Sequence, residues 1–339
     1  MKLLINGLGN IGTTLANVLL RYRNELGFST LYGLKNMPKA WEAVQYELLQ
    51  EQGLTIITKE QLPAIAQSVD YVFDTTANGG ACANKAMYQT WPALKGATAQ
   101  GSEEQFGKPY MVGWPRVPEL PGQLKNRTGA AVAEPAFTTV VSCNTHGILS
   151  LLAYLSGGDP DSIQSADFVV VRRSEDLGNH QRHVASNVIA RHRGPMGTHH
   201  AEDANRVLAA AGLSLRVSSS DITTPDQLMH SVRFSVSFKD GHAPQSRGTP
   251  YVAETSCFDA NRIFDIGRRY GFQGRLYNHA VVVSNNLLHI DSMVLGWAFV
   301  PQEGNTIIST IASMLENLKH PDATNIVNKI RNDLTFSAF

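Results

Sequence analysis

Two short runs carry residues whose types and spacing point to chemistry. The first is Thr138-Thr139-Val140-Val141-Ser142-Cys143-Asn144-Thr145-His146-Gly147, an apolar strand that ends in a thiol. The residues from Gly147 to Leu155 follow it and read as a buried helix. A cysteine at a helix N-terminus feels the positive end of the peptide dipole, which lowers its pKa and favours the nucleophilic thiolate. The second run, Gly7-Leu8-Gly9-Asn10-Ile11-Gly12, follows a strand and opens a helix, the context of a dinucleotide-binding loop. Gly7 permits the tight turn, Gly9 lets the backbone approach a pyrophosphate, and Gly12 allows close helix–strand packing. The N–H groups of Asn10 and Ile11 then face the phosphates. A nucleophilic thiol and a nicotinamide-cofactor site in one chain predict an aldehyde oxidised through a thioester.

The elements that must position these residues fall into two patterns. Lys2–Asn6, a helix from Ile11 to Tyr22, and β runs at Ser29–Gly33, Leu54–Ile57 and Val69–Asp74, with a helix from Trp41 to Glu51, form a βαβ alternation. That alternation predicts a parallel sheet with helices on both faces. Beyond about residue 155 the strands lengthen, at Asp167–Val171, Leu228–Phe238 and Ala280–Val283, with helices at Glu202–Ala211 and Asp259–Tyr270. This predicts a mixed or antiparallel sheet in a second domain. The segments Asn305–Lys319 and Asn325–Leu334 read as helices.

Composition narrows the class. A chain of 339 residues is long for one core, so two domains are expected. Lys+Arg and Asp+Glu both number 29, and this balance argues against a nucleic acid or an anionic membrane as partner. No apolar run is long enough for a membrane span, and the N-terminus enters a strand at once, so a cytoplasmic location is expected. The three cysteines, Cys82, Cys143 and Cys257, are too scattered for a disulfide framework. Cys82 and Cys257 read as structural. His192, His199 and His200 make a poor tetrahedral zinc set with no cysteine near them, so no metal is expected.

The ribose is read at the end of the second strand, where an NAD-binding fold usually places an acid. Here Gly33-Leu34-Lys35-Asn36 offers a cation and an amide. Lys35 favours a 2′-phosphate, so NADP is expected to bind at least as well as NAD.

These motifs give the chain a family likeness. It resembles the archaeal-type (class II) glyceraldehyde-3-phosphate dehydrogenases through Ile5-Asn6-Gly7-x-Gly9-x-Ile11-Gly12, Val69-Asp70-x-x-x-Asp74, Gly79-Gly80 with Asn84, and Gln100-Gly101-x-Glu103. The likeness continues through Val140-Val141-Ser142-Cys143-Asn144-Thr145-x-Gly147, Arg172-Arg173, Thr198-His199-His200, Met229-His230-Ser231-Val232 and Leu276-Tyr277. The resemblance implies an α/β chain: a Rossmann-type parallel sheet over 1–142 completed by C-terminal helices over 303–339, and an α+β catalytic domain with a mixed or antiparallel sheet over 143–302. It also implies a homotetramer. Cys143 would be the nucleophile and His230 the catalytic histidine. Ser142, Asn144 and Thr145 would line the substrate pocket with His199 and His200, and Arg172 and Arg182 would take phosphate. Gly101, Ser102 and Arg173 would join the glycine loop and Lys35 around the cofactor. The implied reaction is phosphorylating oxidation of glyceraldehyde 3-phosphate with NAD or NADP and inorganic phosphate.

The chain departs from the pattern at His146, Ser102, Ala201-Glu202 and Gln181-Arg182-His183-Val184, and the family's His-Gln-Glu-Ser stretch is missing near Gly296-Trp297-Ala298. These departures motivate two other readings, a phosphorylating dehydrogenase of another aldehyde (a semialdehyde or a different sugar phosphate) and a non-catalytic NADP-binding regulator.

Overall fold

The computed structural model describes residues 1–35, 42–101, 103–114, 134–173, 189–224, 229–239 and 248–339. Ser102 and Arg182 lie outside them, as does the side chain of Arg173. The chain divides into two compact units, one of residues 1–110, 114–140 and 310–326, the other of 111–113, 141–309 and 327–339.

The first unit holds a seven-stranded sheet of β1 (Lys2–Asn6), β2 (Thr30–Leu34), β3 (Leu54–Ile57), β4 (Tyr71–Asp74), β5 (Gly96–Gln100), β6 (Lys108–Tyr110) and β7 (Ala136–Val140). Every pairing is parallel, in the order β3-β2-β1-β4-β5-β7-β6. Strand order reverses beside β1, the switch point at which open α/β sheets bind ligands. The helices are α1 (Asn10–Arg21), α2 (Arg23–Leu26), α3 (Ala43–Glu51), α4 (Leu62–Ala66) and α5 (Gly80–Tyr88). Leu4, Val72, Ala97, Tyr88 and Phe106 sit in one buried core cluster of this unit. The predicted Rossmann-like parallel sheet is therefore observed.

The second unit holds α6 (Cys143–Leu155), α7 (His199–Ala210) and α8 (Ala260–Tyr270) with an eight-stranded sheet. Its strands are β8 (Ile163–Arg173), β9 (Ile189–Arg191), β10 (Arg216–Thr224), β11 (His230–Phe238), β12 (Val252–Thr255), β13 (Ala280–Val283), β14 (Leu288–Ile290) and β15 (Met293–Val300). The β8–β10 and β12–β13 pairs are parallel and the others antiparallel, the mixed sheet expected from the sequence. β11 alternates buried and half-buried residues along its length, as a sheet with one covered face requires.

Two helices end the chain, α9 (Ile307–Asn317) and α10 (Ala323–Leu334). The later part of α9 belongs to the first unit, where Ser313 meets Thr98 at 2.8 Å and Asn317 donates to the Tyr71 hydroxyl at 2.7 Å.

Two helix starts differ from the sequence reading, with consequences for the site. α6 begins at Cys143, ahead of Gly147, because Ser142 is extended and accepts the Thr145 N–H as N-cap. α7 begins at His199, ahead of Glu202, which places both adjacent histidines in its first turn. Every residue of α6 after Cys143 is buried. Leu151 is fully buried there, so Leu151→Ala is expected to cost about 2–5 kcal/mol, measured by chemical denaturation against the wild type.

Candidate active site

The second unit brings four of the expected residues into one hydrogen-bonded chain. Asn144 Oδ1 lies 2.8 Å from His230 Nδ1, and Asn144 Nδ2 lies 3.1 Å from His200 Nε2. His200 Nδ1 lies 3.2 Å from Ser142 Oγ. In this orientation of the amide, its oxygen accepts from His230 Nδ1 and its N–H meets a lone pair on His200 Nε2. His230 Nε2 is then the basic nitrogen, and His200 carries its proton on Nδ1, towards Ser142. Burial drives the His200 pKa well below its usual value, aided by repulsion from His199, Arg172 and His230. A neutral His200 is what the Asn144 N–H requires.

Cys143 is the first residue of α6 and is half-buried. Its Sγ donates to Gln302 Oε1 at 2.9 Å, and its carbonyl accepts from Asn305 Nδ2 at 3.0 Å. Thr145 Oγ1 contacts Ser142 Oγ at 2.9 Å, which braces the cap. His146, the residue that departs from the family pattern, is fully buried behind the turn. Its Nε2 meets Ser309 Oγ at 2.7 Å and its ring stands edge-on to His279 at 4.8 Å. Burial pushes the His146 pKa down to about 4, and His279 also lies well below its usual value through burial and the proximity of His146.

Arg172, at the end of β8, pairs with Asp221 on β10 at 3.4 Å. Both line a cavity of about 320 Å³ together with Arg191, Arg193, Thr198, His199 and Glu202. Thr198 is the N-cap of α7, so the helix N-terminus and three guanidinium groups border one space, a natural site for an anion. Sequence reasoning missed Arg191 and Arg193. Their i, i+2 spacing at the end of β9 was the available signal, since alternate strand residues share a face. Gln302 and Asn305 were missed too; both lie just past the end of β15, and the Gln302-Glu303 step, a few residues beyond Gly296-Trp297-Ala298, was the available signal.

In the first unit the glycine loop has the features of a phosphate cradle. Gly7 has φ of 104°, and a Cβ on Gly12 would collide with the Gly7 carbonyl, whereas Gly9 faces open space. Asn10 and Ile11 open α1 with neither a side-chain cap nor an acid in the first turn. Gly101 ends β5 with φ of 81° and open space beside it. A cavity of about 610 Å³ opens at the strand ends, with Leu34, Leu62, Met87 and Trp91 as apolar walls and Asn6, Thr76 and Asn84 as polar edges. The residues present therefore fit a nucleotide.

Lys35 requires a correction to the ribose argument. Its Nζ lies 3.2 Å from Glu42 Oε1 and 5.3 Å from the centre of the Tyr46 ring. Burial opposes its charge, yet Tyr46 and Glu42 hold its pKa above the usual value. A carboxylate thus stands at this position after all, supplied from the residue that caps α3. It could not be found by reading only the residues next to β2.

No protein-family model matches this chain, and no curated protein matches it. Among the described residues no helix is long and apolar enough to cross a membrane, and no group of three or more His, Cys, Asp or Glu residues could hold a metal ion.

The buried histidines predict an acid-sensitive fold. Their folded pKa values lie below the unfolded value of about 6.5, so the unfolded chain binds the extra protons as pH falls. Stability is therefore complete above about pH 6.5 and declines below it, for His146 down to about pH 4, by up to about 1.4 kcal/mol per pH unit per histidine. Denaturation midpoints measured from pH 7.5 to 4 should show this slope, and His146→Gln should make it shallower by about one proton.

Proposed function

We propose that this protein is a phosphorylating, NAD(P)-dependent aldehyde dehydrogenase of the archaeal-type glyceraldehyde-3-phosphate dehydrogenase kind, acting on glyceraldehyde 3-phosphate. The observation that carries the reading is the first turn of α6, where Cys143 stands beside an asparagine that orients two histidines. A thiol at a helix N-terminus is placed to attack a carbonyl carbon. The addition forms a hemithioacetal on Cys143. His230, with Nε2 as its basic nitrogen, takes the hydroxyl proton as the carbon is oxidised. A nicotinamide dinucleotide held at the glycine loop would supply the hydride acceptor. The product is a thioester on Cys143. Inorganic phosphate then attacks the acyl carbon, the C–S bond breaks, and an acyl phosphate leaves with the thiolate restored.

Arg172, Arg191, Arg193 and the first turn of α7 supply charge for the phosphate group of the substrate or for the attacking phosphate. Gly7, Gly9, Asn10, Ile11 and Gly12 would hold the pyrophosphate, and the 610 Å³ cavity is sized for the nucleoside. Cytoplasmic location and a homotetramer remain part of this proposal through the family likeness. The extra arginines on and after β9 favour a second reading as well, in which the aldehyde carries more negative charge than a triose phosphate.

A steady-state assay with glyceraldehyde 3-phosphate and NAD or NADP, with and without inorganic phosphate, tests the proposal. Acyl phosphate formation that requires phosphate is the expected result, and a panel of other phosphorylated aldehydes separates the two substrate readings. Cys143→Ser should lower turnover at least a thousandfold, as loss of a nucleophile that acts with a partner base does, while cofactor binding stays intact. Near-normal turnover would end the thioester route.

For the cofactor, Glu42→Gln should release Lys35 from its ion pair and remove a charge that repels a 2′-phosphate. NADP affinity should rise several-fold relative to NAD, the size of a partly exposed charge interaction. Fluorescence titration with both dinucleotides measures the ratio, and an unchanged ratio would exclude the pair from ribose recognition.

A further inference from the structure

Gln302 makes a contact with the thiol that the proposed reaction does not by itself require. Cys143 Sγ donates to Gln302 Oε1 at 2.9 Å. On the other side of the same amide, Nε2 donates to Val300 O at 3.0 Å and to Pro301 O at 3.4 Å. Rotating the amide to offer its nitrogen to sulfur would set Oε1 against those two carbonyl oxygens. The side chain therefore meets the sulfur as an acceptor only. An acceptor there stabilises S–H and offers nothing to S⁻.

The loop that carries Gln302 is held in place by independent ties. Glu303 adopts φ of 65°, a conformation that costs a non-glycine residue energy and persists only where surroundings impose it. Its carboxylate pairs with Arg275 at 2.9 Å. Asn305 Nδ2 donates both to the Cys143 carbonyl at 3.0 Å and to the His279 carbonyl at 3.4 Å. The glutamine is thus fastened to the same turn whose thiol it contacts.

We infer that Gln302 keeps the Cys143 thiol protonated at rest, opposing the thiolate-favouring field of the α6 N-terminus. Its consequence for turnover rests on the proposed function, in which Cys143 is the nucleophile. Among the described residues, the titratable groups near this turn include His146, His199, His200, His230, His279 and the Arg275–Glu303 pair, with the Arg172–Asp221 pair beside His199.

The test is the pH profile of iodoacetamide labelling at Cys143, followed by peptide mass spectrometry on the full chain. Q302L removes the acceptor and should lower the labelling midpoint by about half to one pH unit. One unit below the wild-type midpoint, labelling should then be about three- to sixfold faster. Q302E places a carboxylate beside the sulfur and should move the midpoint upwards by a similar amount. Opposite shifts support the inference, because a general loosening of the turn would move both variants the same way. Unmoved midpoints, or shifts in one direction, overturn it. If Q302L melts early by circular dichroism, Q302M keeps the side-chain length and takes its place. Turnover separates the two readings. Opposite midpoint shifts without any aldehyde oxidation would overturn the proposed function and leave this inference standing. Normal oxidation with unmoved midpoints would overturn this inference alone.

Discussion

Burial of α6 is the constraint on which the site depends. A helix that is enclosed all round has no freedom to shift register and no solvent-facing turn to fray. Its polar residues must then find partners inside the protein, because an unpaired buried polar group costs about 1–3 kcal/mol. The first turn is unusually polar for a buried helix: Asn144, Thr145 and His146 are all enclosed, with Ser150 one turn further on. Asn144 is satisfied by His200 and His230, Thr145 by Ser142 and the His200 carbonyl, His146 by Ser309, and Ser150 by His279. The constellation around Cys143 is in this sense the solution to burying that turn. Residues drawn from α7, β11 and the start of α9 are fixed by the same requirement that fixes the thiol.

Low dielectric then decides the charge states. Three histidines near the turn, His146, His200 and His279, are held neutral mainly by the cost of burying an imidazolium. Neutral rings keep one donor and one acceptor each, and only such rings can form a directional chain through Asn144. Had His200 been protonated, both ring nitrogens would be donors and its contact with the Asn144 N–H would be repulsive. Burial therefore acts twice, once on packing and once on the direction of every hydrogen bond leading to His230.

Most of the architecture was legible because it rests on local patterns. β1, the glycine loop and α1 appear where the spacing put them, and β11 and β13 follow from runs of β-branched and aromatic residues. Strands with weak propensity were not legible. β5 is Gly-Ala-Thr-Ala-Gln and β10 is rich in serine, and both form because neighbouring strands flank them in the sheet. In the site, Cys143, Asn144, His200 and His230 could be named from motifs, yet their connection could not. It depends on α7 starting three residues earlier than the apolar pattern indicated. Gln302, Asn305 and Glu42 were missed for a related reason. Gln302 and Asn305 act on Cys143 from 159 and 162 residues away, and Glu42 reaches Lys35 from the start of α3, so only the closed fold supplies the neighbour.

The arginine cavity shows how far charge alone can be read. Arg172 and Asp221 form a pair, but the Nε of Arg172 and the Oδ1 of Asp221 are buried without a hydrogen-bond partner. An ion pair left half-satisfied in this way is a poor structural device, because the desolvation of both groups is only partly offset. It makes better sense as one side of a recognition site. An anion oxygen in the cavity would complete the Arg172 guanidinium, while Asp221 limits how much negative charge the space accepts. Arg191 and Arg193, both exposed at the rim, extend the positive field into solvent, where it raises the encounter rate of a phosphorylated ligand more than its final affinity. The cavity is thus graded from exposed guanidinium groups at its edge to a half-buried ion pair, Arg172 and Asp221, within it.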